Sequence, residues 1–142
     1  MTPEQELGAL IKEAFPGEPG GFHPCAIFQD RLDCIRVIVR DCSITATRLN
    51  GVLTVLEDTH YKPGLDVELY VGFTIKGVRH FCQEHGIRID SPVRIAEILD
   101  AILQVFPERE VKFAIDGIAR RLVSDSEVDL TASNVGRLKK VA

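Results

Sequence analysis

The chain has 142 residues, 45% hydrophobic and 27% charged, a composition that excludes a disordered tail, a collagen-like repeat and a low-complexity array. Its 17 basic and 21 acidic residues give a net charge of −4. The positives are dispersed (Arg36, Arg40 and Arg48; Arg120-Arg121; Lys139-Lys140), which weighs against a nucleic-acid partner. No apolar run approaches the roughly 18 residues of a membrane span. The acidic start Met1-Thr2-Pro3-Glu4-Gln5-Glu6 is unlike a signal peptide, so one cytoplasmic domain is expected.

Residues 2–15 carry the clearest helix signal. Thr2 and Gln5 form a capping box, Pro3 suits the first helical position, and Leu7, Leu10, Ile11, Ala14 and Phe15 fall on one face. Pro16-Gly17 ends the helix, and residues 16–31 read as a linker in which 23–28 could form a short edge segment. The glycines of 17–21 do not make a phosphate cradle, because no Gly-Lys-Ser/Thr follows them.

An antiparallel meander of about four strands is expected over residues 32–76. Ile35, Val37 and Val39 alternate with Arg36, Ile38 and Arg40 in the first strand. The stretch 43–49 is rich in Thr and Ile, with an irregular bridge as its competitor. Asn50-Gly51 then sits between two β-branched runs as a hairpin turn. Pro63-Gly64 marks a loop into the last strand, where Val67, Leu69, Val71, Phe73 and Ile75 alternate with Glu68, Tyr70, Gly72 and Thr74. That period predicts a sheet with one face buried and one wet.

After Phe73 the period changes. Ile75, Val78, Phe81 and Cys82 fall at helical spacing with Thr74 as a cap, and Asp90-Ser91-Pro92 starts a second, strongly amphipathic helix. Its stripe is Ile95, Ile98, Leu99, Ile102, Leu103 and Phe106. Within 108–122, Val111, Ile115, Ile118 and Leu122 keep helical spacing, against a hairpin alternative in which Val111, Phe113 and Ile115 alternate about Asp116-Gly117. Helix is the favoured reading. Two to three helices are thus expected over 77–123, packed on one face of the sheet, and a polar tail over 124–142. The fold class is α+β.

Four cysteines, Cys25, Cys34, Cys42 and Cys82, include no Cys-x-x-Cys pair, so buried free thiols are expected rather than a redox motif or zinc ribbon. The ligand-type cluster His80-Phe81-Cys82-Gln83-Glu84-His85 fails on helix geometry, since His80 and Cys82 point to nearly opposite sides and only Cys82 and His85 share one. A metal site would need help from His23, Cys25 or Cys42, so no metal or cofactor is assigned. No Gly-x-Ser-x-Gly elbow or cysteine-hydrolase signature is present. The two helices around Gly86 are joined too loosely for a helix-turn-helix.

The densest polar segment is Glu57-Asp58-Thr59-His60-Tyr61-Lys62, just after a strand. Loops held by a rigid sheet often carry function, so Glu57, Asp58, His60 and Tyr61, with Arg36, Arg40 and Arg48 of the strands, are the candidate ligand-binding residues. Two readings follow. One is a non-catalytic binding or protein-interaction module, homodimeric through the amphipathic helix or a sheet edge. The other is a small-molecule-binding protein or enzyme with a pocket at the sheet edge near residues 57–62. A Cys/His metal-binding protein is a third.

Overall fold

The computed structural model describes residues 2–14, 23–64 and 68–138, with residues 11–14 described as backbone only. Helix α1 (Pro3–Ala14) begins with the capping box. The Thr2 N–H donates to Gln5 Oε1 at 2.9 Å, and the Gln5 N–H donates to Thr2 Oγ1 at 3.2 Å. Its end at Pro16-Gly17 lies outside the described residues.

The sheet is larger than the meander expected from the sequence. Six antiparallel strands, β1 (Cys25–Gln29), β2 (Cys34–Ile38), β3 (Ile44–Arg48), β4 (Leu53–Asp58), β5 (Tyr70–Lys76) and β8 (Asn134–Arg137), lie in the order β3-β4-β5-β2-β1-β8. Strands β3, β4 and β5 are a true meander. However, β2 pairs with β5 rather than β3, which makes β2 to β5 a Greek key. Two segments account for the difference. Part of the expected linker is the buried strand β1, and part of the expected polar tail returns as β8 to pair with it. Neither shows clean period-2 alternation. All five residues of β1 are buried, as befits a strand covered on both sides.

Residues 43–49 do form a strand, and its hairpin with β4 is closed by Asn50. The Asn50 side-chain oxygen accepts from the Val52 and Leu53 N–H groups, each at 2.8 Å. One face of the sheet presents Ala26, Phe28, Ile35, Val37, Leu53, Val55, Phe73 and Ile75 to the main core. The side chains Phe28 and Phe73, each 0% exposed, contribute roughly 2–3 kcal/mol apiece on burial. Cys25 and Ile27, on the opposite face, pack with Leu7 and Leu10 of α1 and Val135 of β8. Helices therefore lie on both faces, not one. The opposite face is also drier than a half-exposed sheet: Gln29, Thr54 and Thr74 are all buried.

At the centre, Gly72 lies opposite Ile38 of β2 and Leu56 of β4. A Cβ there would stand 1.9 Å from the Val37 carbonyl oxygen, so only glycine allows β5 this close to β2. Helix α2 (Val78–Glu84) follows β5 through Gly77, at φ +62°. Asp33, in the β1–β2 turn, does the capping expected of Thr74. Its carboxylate accepts from the Arg79 N–H at 2.9 Å and from Arg79 Nε at 3.0 Å, while Asp30 takes the Arg79 Nη1 at 2.5 Å.

Helix α3 (Ile95–Val105) starts later than the Asp90-Ser91-Pro92 signal implies. Between them Val93–Arg94 forms β6, which pairs with β7 (Glu127–Val128). The α3 stripe is spent on the fold, because Ile95, Ile98, Leu99 and Ile102 are 0% exposed. Leu103 and Phe106, the rest of the stripe, are partly buried against the same core. Residues 109–123 are helical, as α4 (Arg109–Ala114), a π-helical turn (Ile115–Ala119) and α5 (Arg120–Val123). Burial of Val111, Ala114, Ile115, Ile118, Ala119 and Val123 seats this rod on the core.

Candidate functional site

Where α4 meets the free edge of the sheet it leaves a groove of about 400 Å³, in the size range of small-molecule sites. Strand β3 and its turn supply Thr47 and Leu49, β4 supplies Val55 and Glu57, and β5 supplies Tyr70. The helical wall is Arg109, Glu110, Phe113, Ala114 and Ile118. Most of the lining is apolar, with Glu57 and Tyr70 on the sheet side and Arg109 and Glu110 on the first turn of α4.

The sheet's alternation places these groups. Val55 packs in the main core and also borders the groove, and Glu57, two residues on, lines the groove with it. There the β4–β5 register shifts between Leu56 and Glu57, and Glu57 comes opposite Tyr70. Glu57 is half-buried, and its carboxylate has no hydrogen bond or ion pair among the described residues. The Tyr70 and Phe113 rings pack edge-to-face, with centroids 6.4 Å apart and planes at 70°. Phe113 is 59% exposed, the most exposed large hydrophobic side chain among the described residues.

Of the residues singled out by sequence, Glu57 alone lines the groove. Asp58 points elsewhere: its Oδ2 accepts from Arg40 Nη2 at 2.5 Å and its Oδ1 accepts from the His60 N–H at 2.9 Å. The His60 amide, and then the Arg40 guanidinium, hold the Asp58 carboxyl below its ordinary pKa. Arg40 also donates to the Glu68 carbonyl at 3.0 Å, which ties the β2–β3 crossing to the segment before β5. His60 is exposed and Tyr61 half-buried, its N–H donating to the Asp58 carbonyl. These groups organise the loop after β4.

The two strand arginines lie on the other side of the sheet. Arg36, Thr74, Thr54 and Arg48 are successive cross-strand neighbours in one row. Arg48 Nε turns back onto the Asn50 carbonyl at 3.1 Å, and the buried Arg36 Nε has no partner. The structure does not bring them to the groove.

Sequence reading missed Tyr70, Arg109, Glu110 and Phe113. The signal available was Phe113 itself. It stands about 200° around the helix from Val111, off the Val111-Ile115-Ile118-Leu122 stripe, so an aromatic ring sits on the face that should be wet.

The cysteines play no part in the groove. Cys25, Cys34 and Cys82 are buried free thiols, and burial pushes the Cys25 and Cys82 thiols up to about 11. His80 pairs with Glu84 at 2.8 Å and His85 packs on the Phe81 ring. Among the described residues no three His, Cys, Asp or Glu side chains converge where a metal could be held. No helix among them is long and apolar enough to cross a membrane. Comparison with protein-family profiles, curated proteins and solved structures finds no match to this chain.

Proposed function

We propose that this chain is a non-catalytic binding module whose groove between β3–β5 and α4 takes a small, mainly apolar molecule. The carrying observation is the exposed Phe113 ring in an edge-to-face pair with Tyr70 over an apolar floor. An aromatic side chain left in water costs free energy that a ligand recovers by covering it. The groove's polar groups are a carboxylate, a phenol and an adjacent Arg–Glu pair, which orient a ligand. They do not form a nucleophile–base pair.

Phenethyl alcohol tests the reading as a neutral probe. Its titration is expected to move the amide resonances of Thr47, Tyr70, Phe113 and Gly117 at millimolar concentration. Thr47→Trp, at an exposed strand position, fills the groove mouth and should abolish the response. Shifts that persist in Thr47→Trp, or none at all, contradict the proposal.

A homodimer through β3 is a second reading, favoured by the state of that edge. Four of its five residues are exposed, and Ile44-Thr45-Ala46-Thr47-Arg48 contains no proline and only one charge to block pairing with another strand. Light scattering at micromolar concentration tests it: a dimer mass supports the reading, and a strictly monomeric profile ends it.

A further inference from the structure

From the position of Glu57, we infer that the groove selects an organic cation, an ammonium group carried on an apolar or aromatic body. This rests on the binding reading above and names the ligand class.

A half-buried carboxylate beside an apolar wall is costly to leave without a partner. Glu57 is in that position, and no described residue pairs with it. Its charge is the one the groove leaves unbalanced. Arg109 and Glu110 are neighbours of opposite sign on the first turn of α4, both exposed, and in water their fields largely cancel. Next to Glu57, across the β4–β5 pair, stands Tyr70, whose ring forms the edge-to-face pair with Phe113. Aromatic faces attract cations through their quadrupole, so the rings and the carboxylate favour the same ligand charge. An anionic ligand would meet Glu57 on the inner wall and gain only the exposed Arg109 at the rim.

The arrangement does not follow from fold necessity. Val55 and Thr47 border the same groove without charge, and an apolar residue at position 57 would keep the alternation of β4. Position 57 also lies at the register shift, where it pairs with Tyr70. Geometry therefore joins an unpaired anion, two rings and an apolar floor in a single cleft.

Calorimetric titration of the full chain with three probes sharing a phenyl body decides the matter: phenethylammonium, phenethyl alcohol and hydrocinnamate. The expected order is cation tightest, by about tenfold over the alcohol, with the anion weakest. Glu57→Gln should remove that preference, bringing cation and alcohol to similar affinity, and a urea midpoint close to the parent's shows that the variant is folded. Equal affinity for cation and alcohol in the parent, or a cation preference that survives in Glu57→Gln, overturns the inference while leaving the binding reading intact. Failure of all three probes to bind overturns both.

Discussion

Glu57 faces Tyr70 across the β4–β5 pair, one step beyond the point where the two strands slip register. Both sides of that slip line the groove, Val55 before it and Glu57 at it. Val55 is 5% exposed and packs in the core as well, whereas Glu57 is half-buried. Removing Phe113 should therefore weaken ligand binding with little effect on the fold. Phe113→Ala is expected to lower phenethyl alcohol affinity at least about fivefold, equivalent to about 1 kcal/mol, while the urea midpoint stays nearly constant. Calorimetry and urea denaturation on the same sample check both halves.

Gly72 is the position where the fold tolerates least. In Gly72→Ala the new methyl group meets the Val37 carbonyl oxygen, which belongs to the neighbouring strand and cannot rotate away. A loss of about 3 kcal/mol in unfolding free energy is expected. Equilibrium urea unfolding measures it.

Asp33 ties the β1–β2 turn to the start of α2 by capping it and holding Arg79. Asp33→Ala should cost about 1–2 kcal/mol, and Asp33→Asn less, since the amide oxygen can still accept the Arg79 N–H. Thermal unfolding of the two variants gives the ordering.

Acid should act through Asp58. Its folded pKa lies below the ordinary 3.8, so its contribution to stability is complete above about 3.8 and is lost as pH falls through the lower folded value. Asp90 and Asp129 are shifted the same way, by Arg88 and by Thr131 respectively. Asp58→Asn is expected to flatten the acid limb of stability without altering its neutral-pH slope. Urea midpoints between about pH 6 and pH 2.5 check it.

Much of this architecture is legible from local chemistry. The Thr2–Gln5 box and the Asn50-Gly51 hairpin are satisfied by neighbours in sequence, and both appear in the structure. The alternating strand appears only in part: β5 starts at Tyr70, Val67 lies outside the described residues, and Gly72 and Thr74 are buried along with Val71, Phe73 and Ile75. What is not legible is long-range. Strand β1 pairs with residues 134–137, more than a hundred positions away, and neither partner alternates, because β1 is buried on both faces and β8 is a short edge. The cap on α2 comes from Asp33 for the same reason: the sequence next to the helix offers Thr74, but tertiary packing brings a carboxylate. The candidate site follows this pattern. Glu57 stood out in a polar run, whereas its partners in the groove come from β3, β5 and α4, and only the crossing of those elements makes them neighbours. Arg36 and Arg48 were drawn to the wet face of a sheet whose centre is buried on both sides.

The most direct test of the account is a crystal structure of the chain with phenethylammonium bound. The phenyl ring should lie against Phe113 and Tyr70, with the ammonium nitrogen about 3 Å from a Glu57 carboxylate oxygen. A ligand seated outside this groove, or one whose nitrogen turns away from Glu57 toward solvent, would contradict it.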